Sequence, residues 1–305
     1  MEFFRGTTHI PFMKQRKIAA VISAILIIGS LIAIFTQGLN FGLDFTGGTE
    51  LEVKFQQAAP VNAIRDHLKK AGFAKAEVKT LGDAKDVSVR VAPHKELSQD
   101  QLKQKVMSVL PEGGHLSRFD FIGPSVGKAL VTNGILAIVI SLLAIMIYIA
   151  ARFEYRFAVS AAIALIHDPL LILGIFAAFH LEFNLIVLTA LLTVIGYSIN
   201  DTVVVYDRVR ENFRKVRKKT VLEVMDLSIN ETLSRTIMTS GLTLLVVLAL
   251  YFFGGDVLEG FSLAFIIGIV VGTYSSIYVA GALAVAFGLN REKLVPAKKV
   301  YDDAP

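Results

Sequence analysis

The chain has 305 residues, 54% hydrophobic and 19% charged, which is too apolar for an ordinary soluble domain and calls for a bilayer as solvent. It contains no cysteine, so disulfide frameworks, zinc–cysteine sites and thiol catalysis are excluded. The net charge of +5 resides in basic residues beside apolar runs rather than across a folded face, which favours a membrane surface over nucleic acid.

In chain order, residues 1–17 form a basic N-terminal segment with Lys14, Arg16 and Lys17 at its end. Residues 18–36 are then the first of six stretches near the roughly 20 apolar residues needed to cross a ~30 Å hydrocarbon core. The run is long for a signal peptide and lacks a small-x-small cleavage site, so it reads as an uncleaved anchor. The other five stretches are Ala129 to Ala151, Ala158 to Phe179, Leu185 to Tyr206, Ile237 to Phe253, and Phe261 to Phe287. Every second connection is basic: Arg152 and Arg156, the cluster from Arg208 to Lys219, and the tail with Arg291, Lys293, Lys298 and Lys299. The short loops between them, "HLEF" and "GGDVLEG", hold no Lys or Arg. The positive-inside rule therefore puts both termini in the cytoplasm.

Residues 37–128 are polar and change period. "TELEVKF", "AEVKTL" and "DVSVRV" alternate as strands, Val61, Ile64 and Leu68 recur at helical spacing, Ser98 caps a second helix ending before Pro111, and "LSRFDFI" reads as a last strand. The order βαββαβ is the split-βαβ arrangement. The expected fold is thus a polytopic α-helical membrane protein of six transmembrane helices, with an α+β ferredoxin-like (βαββαβ) periplasmic domain between the first and second helices. Residues 129–287 form a five-helix bundle, and 288–305 a cytoplasmic tail. Within the bundle, "TVLE" (Thr220 to Glu223) is a capping box opening an amphipathic helix near 220–234, with Leu222, Met225, Ile229 and Leu233 on one face, suited to the cytoplasmic membrane surface. Its basic neighbours suit anionic membrane lipids.

Charges inside the spans are the functional signal. Asp201 lies seven residues before Arg208, roughly 10 Å inside its helix, where a carboxylate costs about 2.5–3.5 kcal/mol unless it faces a cavity or partner. From the fifth span Arg235 could reach it, with Thr239 four residues on and Thr236, Ser240 and Thr243 extending a polar stripe inward; an arginine meeting the acid would hold it charged and protonation would release it, the alternative being a static ion pair that locks two helices together. Asn200 stands beside Asp201, and "ALIHDPLL" places His167 and Asp168 near mid-bilayer, where the neighbouring Pro169 frees the carbonyl of Leu165. In the sixth span, small residues recur every fourth place from Ala264 through Gly268, Gly272, Ser276, Ala280 and Ala284 to Gly288, a close-packing face. "GPSVG" (Gly123 to Gly127) fits a nucleophile elbow, but Pro124 precedes the serine at a membrane boundary, so it reads as a hinge and the chain as a non-enzyme. No metal or nucleotide motif appears, and no cofactor beyond protons as coupling ion is expected.

The stretches "FGLDFTGGT", "HD" in the third span, "GYSINDTVVVYDRVRENFR", "TLSRTIMTSG" and "LEGFSLAFIIG" resemble the SecF family of bacterial protein export, over nearly the whole chain. The resemblance implies half of a resistance-nodulation-division fold, the other six helices coming from SecD. It implies a place in the bacterial inner membrane beside the SecYEG translocon, with YajC and YidC as further associates. There, proton flow helps pull unfolded exported polypeptides outward. By position it makes Asp201 the essential intramembrane acid, with Arg235 and Thr239 as companions. It makes Gly42, Asp44, Gly47 and Gly48 the signature link to the outer domain, the two adjacent glycines permitting a tight, mobile turn. Two readings compete: half of a proton-driven exporter of small molecules or lipids, which shares Asp201 and Arg235, and a non-transporting scaffold of the export channel, which needs no proton chemistry.

Overall fold

The computed structural model describes residues 8–74, 76–81, 83–93 and 97–290. The expected tail cations Arg291, Lys293, Lys298 and Lys299, and residues 1–7 of the N-terminal segment, lie outside the described residues. Six helices are long and apolar enough to cross a membrane: Phe12–Gln37, Pro124–Arg152, Tyr155–Ala178, Leu185–Lys215, Val221–Phe253 and Asp256–Ala286. Two compact units result, one of residues 40–137 and 182–188, the other of the rest of the helical chain.

In the first unit, β2 (Gly48–Phe55), β3 (Glu77–Leu81), β4 (Asp83–Val91) and β5 (Gly114–Ile122) form an antiparallel sheet in the order β3-β4-β2-β5. Helices α3 (Val61–Lys70) and α4 (Gln99–Val109) fall between strands as the βαββαβ order requires, so the domain is ferredoxin-like. The strand alternation has its usual cause: Leu51, Val53 and Phe55 of β2 and Val87, Val89 and Val91 of β4 bury one face against Ile64 and Leu68 of α3 and Leu102 and Val106 of α4. The Ser98 cap is completed by Gln101 as a full capping box. A second, two-stranded parallel pairing joins β1 (Asn40–Phe41) to β6 (Glu182–Phe183). It has no sequence signal, because each strand is two residues long and the partners are far apart in the chain.

In the second unit, α1 (Arg16–Gln37), α6 (Tyr155–Ala178), α7 (Leu185–Lys215), α8 (Val221–Phe253), α9 (Asp256–Tyr274) and α10 (Gly281–Ala286) pack with the inner part of α5 (Pro124–Arg152). Tyr206, Phe157, Phe213 and Met13 are fully buried at the centre. Two expectations are corrected. The capping box at Thr220 and Glu223 is present, but the helix it opens is no separate surface helix: α8 runs unbroken for 33 residues. Its apolar face meets protein, with Met225, Ile229 and Leu233 in the core, and Asn230 and Asp226 hold the N-terminal segment through Thr8, Ile10 and Met13. No Gly or Pro lies between Thr220 and Ser240 to end the helix, so it continues into the span. The small-residue stripe also ends early. Gly288 is exposed at φ +76° and closes α10 in a Schellman turn, its N–H on Val285 O and that of Leu289 on Ala284 O.

The rest of that stripe is buried on a helix that changes pitch. Every fourth residue of an α-helix drifts by about 40°, so seven such positions would wind most of the way round. Between α9 and α10, Ser275–Ala280 form a π-helical stretch, whose wider turn rotates the stripe back.

The contact between α1 and α6 is similarly close: a Cβ at Gly174 would lie 2.1 Å from Ser30 Oγ and 2.6 Å from Ser30 Cα. Gly174→Val should therefore lower thermal stability of the detergent-purified chain by about 1–3 kcal/mol. Ser30→Gly should recover part of the loss, and unchanged melting of Gly174→Val would show that the helices separate freely.

Candidate functional site

Helix α7 places Ser198, Asp201 and Thr202 at i, i+3 and i+4, hence on one buried face. Two carboxylates are gathered there, held differently. Asp168, fully buried on α6, is gripped from three helices: His167 Nδ1 lies 2.9 Å from Oδ1, while Ser198 Oγ of α7 and Ser275 Oγ of the π-helical stretch donate to Oδ2 at 2.5 and 2.8 Å. His167 is buried as well, its ring stacked on Tyr274, and its Nε2 has no hydrogen-bond partner among the described residues. Asp201 has a looser setting: Ser240 Oγ of α8 reaches its Oδ2 at only 3.4 Å, and that hydroxyl is shared with Thr273 at 3.0 Å. Thr202 and Ser276 meet at 3.0 Å, and Ser276 also reaches Ser198 O.

The close approach that permits this network is made by glycine. A Cβ at Gly268 would sit 2.3 Å from Val194 Cγ2, and one at Gly272 3.2 Å from Ser198. Only without side chains there can α9 lie on α7 closely enough for Ser275 and Ser276, which follow it in the π-helical stretch, to reach Asp168 and Thr202.

Asp201 takes its hydrogen bond from Ser240, while Arg235 lies near enough to act on it electrostatically without touching it. Among the described residues no ion pair within 4.0 Å joins it to Arg235, which is exposed. Thr239 turns its hydroxyl onto the carbonyls of Arg235 and Thr236 in its own helix. Asn200 is exposed, since neighbouring helical residues point about 100° apart and the inward direction belongs to Asp201. Ser198, Thr202, Thr273 and Ser275 are singled out by nothing in the sequence: hydroxyls inside apolar runs are equally common wherever helices merely pack.

The glycine signature near the first span forms its own constellation. Gly42 N donates to Phe183 O, and a Cβ on Gly42 would meet Asn184 Cβ at 2.8 Å. Phe41 and Phe45 pack around Phe183. Asp44, in α2 (Leu43–Thr46), accepts the N–H of Leu185 at 2.9 Å, and Asn184 accepts that of Val187, so two side chains cap the start of α7. Gly47 and Gly48 have φ of +66° and +130° and turn the chain directly into β2. This is a braced turn rather than an open link: a Cβ at Gly48 would lie 2.6 Å from Val91 O, and one at Gly127 3.1 Å from Gly47 N. That contact also explains "GPSVG": Pro124 starts α5 and Gly127 admits the signature backbone, while Ser125 is exposed in the first turn. Arg90 of β4 completes the clamp, 2.9 Å from Glu182 and 3.4 Å from Glu50. Burial alone would lower its pKa, but the two carboxylates outweigh burial and raise it, so the guanidinium stays charged at cellular pH.

Residues 101–290 match the profile of the protein export membrane protein SecD/SecF, C-terminal family, and residues 32–59 match the SecD/SecF GG motif. Protein translocase subunit SecF of Vibrio alginolyticus is 46% identical, over 97% of this chain and 95% of its own. That of Escherichia coli O157:H7 is 44% identical, over 94% and 90%. The crystal structure of SecDF from Thermus thermophilus, a translocon-associated membrane protein, superposes with a TM-score of 0.84 at 36% identity, over 94% of this chain and 39% of that longer one. SecDF in a super-membrane-facing form matches with a TM-score of 0.69. On a match that covers the GG turn, the buried carboxylates and nearly the full length, the chain belongs to the SecF family of protein translocase subunits.

Proposed function

We propose that this chain works with SecD in the bacterial inner membrane and uses the proton gradient to help draw unfolded polypeptides outward from SecYEG, with YajC and YidC as further associates. The observation that carries the proton step is the contrast between the two acids. Asp168 has three hydrogen-bond partners and acts as a fixed post, positioning α6, α7 and the π-helical stretch. Asp201 has one long hydrogen bond, so gaining or losing a proton costs it little structure. Ionised, it attracts a cation; neutral, it needs none. Arg235 stands on α8 five residues before Ser240, about 7.5 Å along the helix, close enough to replace Ser240 when α7 and α8 shift. Exchange between these partners is the two-state element that a proton would bias.

The basic connections support an orientation with both termini in the cytoplasm and the ferredoxin-like domain in the periplasm. Protons are the coupling ion, and no other cofactor enters this scheme. Inside-out vesicles that contain SecD but lack this chain should lose the gradient-dependent part of precursor export and regain it when the chain is supplied. Export that responds to the gradient equally with and without it would leave the chain a scaffold.

A further inference from the structure

A groove of about 800 Å³ opens between α1, α6 and α10 within the helical unit. Its walls are Ile27, Ile163, Ile166, Leu170 and Leu283. The space exists because small residues face into it, Ala20 and Ala24 one turn apart on α1, and Ala282 and Ala286 one turn apart beside them. Two cations, Arg16 and Lys17, stand at one end, and neither has a carboxylate partner among the described residues. At the other end the groove is shut just past Ile27 and Leu170, where Ser30 meets Gly174 in the close α1–α6 contact.

The length of the groove identifies what fits it. From Arg16 to Ile27 is eleven residues, about 16 Å along α1, half the ~30 Å hydrocarbon core. A partner's transmembrane helix would need the whole thickness, whereas an acyl chain of one leaflet needs half. The cations mark the headgroup end, and the positive-inside rule puts that end in the cytoplasmic leaflet, where anionic lipids concentrate. We infer that this groove is a binding site for one anionic phospholipid, its acyl chain between α1, α6 and α10 and its phosphate on Arg16 and Lys17. His167 also lines the groove, with Nε2 unpartnered among the described residues, so the lipid would cover the side of the His167–Asp168 pair that faces away from α7.

Native mass spectrometry of the full chain with its SecD partner, exchanged into phosphatidylglycerol or phosphatidylcholine, tests the site. One phosphatidylglycerol should persist per complex in preference to phosphatidylcholine. Ala24→Leu with Ala282→Leu fills the groove and should remove that lipid. Arg16→Gln with Lys17→Gln leaves the groove open and should cut phosphatidylglycerol retention roughly thirtyfold while sparing phosphatidylcholine. Equal retention of the two lipids by the native complex, or loss that follows neither pair of substitutions, overturns the proposal. So does a photo-crosslinker at Ala24 that captures a protein rather than lipid in intact membranes, which would make a polypeptide the occupant.

Discussion

Asp201→Asn should abolish the gradient-dependent part of precursor export while the chain remains folded and bound to its partner. Asparagine has nearly the same shape, and its amide oxygen can still accept from Ser240, but it cannot gain or lose a proton. A neutral amide costs no more to place inside the span than the carboxylate it replaces, so assembly should not suffer. Recovery of SecD with the purified chain checks assembly; export into inside-out vesicles with and without a gradient checks function. Asp168→Asn should behave the opposite way. An amide offers one accepting oxygen where Ser198, Ser275 and His167 supply three contacts to two oxygens, so a buried donor is left unmade at about 1–3 kcal/mol and the melting temperature falls. If Asp201→Asn exports with full gradient response, the carboxylate is structural and the scaffold reading replaces proton coupling.

Gly48→Ala should destabilise the ferredoxin-like domain by on the order of 3 kcal/mol or more, enough to expose it to protease. Two costs combine. Its φ of +130° is a conformation that a residue with a side chain rarely adopts, worth about 1–3 kcal/mol. The added methyl would also sit 2.6 Å from the carbonyl oxygen of Val91, backbone that is itself paired in the sheet to Thr49 and cannot move aside cheaply. Gly72→Ala separates the two terms. There φ is +95° but nothing lies within 4 Å, so only the conformational cost remains. Limited proteolysis and melting of the two variants should therefore differ clearly. Equal effects would mean that the turn yields, and that the GG signature is not held by the sheet beneath it.

Much of this protein is legible in its sequence because the bilayer imposes simple rules. A helix that must satisfy its own backbone in lipid shows itself as an apolar run, and loop charge follows sidedness, so six spans emerge from local reading. Strand alternation and helical spacing between Gly48 and Phe121 carry the ferredoxin-like order for the same reason, since each element must turn one face to a shared core. The depth of Asp201, Asp168 and His167 likewise follows from residue counts alone. What local pattern does not contain is which side chains meet. The sequence offers Arg235 and the polar stripe beyond it as company for Asp201, and the rotation of α8 makes Ser240 of that stripe the hydrogen-bond partner, while two glycines of α9 bring it onto α7 so that Ser275 and Ser276 reach Asp168 and Thr202. The π-helical stretch that aims Ser275 at Asp168 and the two-residue strands that pair across the chain are of this kind. Each depends on contacts between residues distant in sequence. Composition and periodicity determine where the chain meets water and lipid; only tertiary packing decides which of its buried acids is held from three helices and which by a single long hydrogen bond.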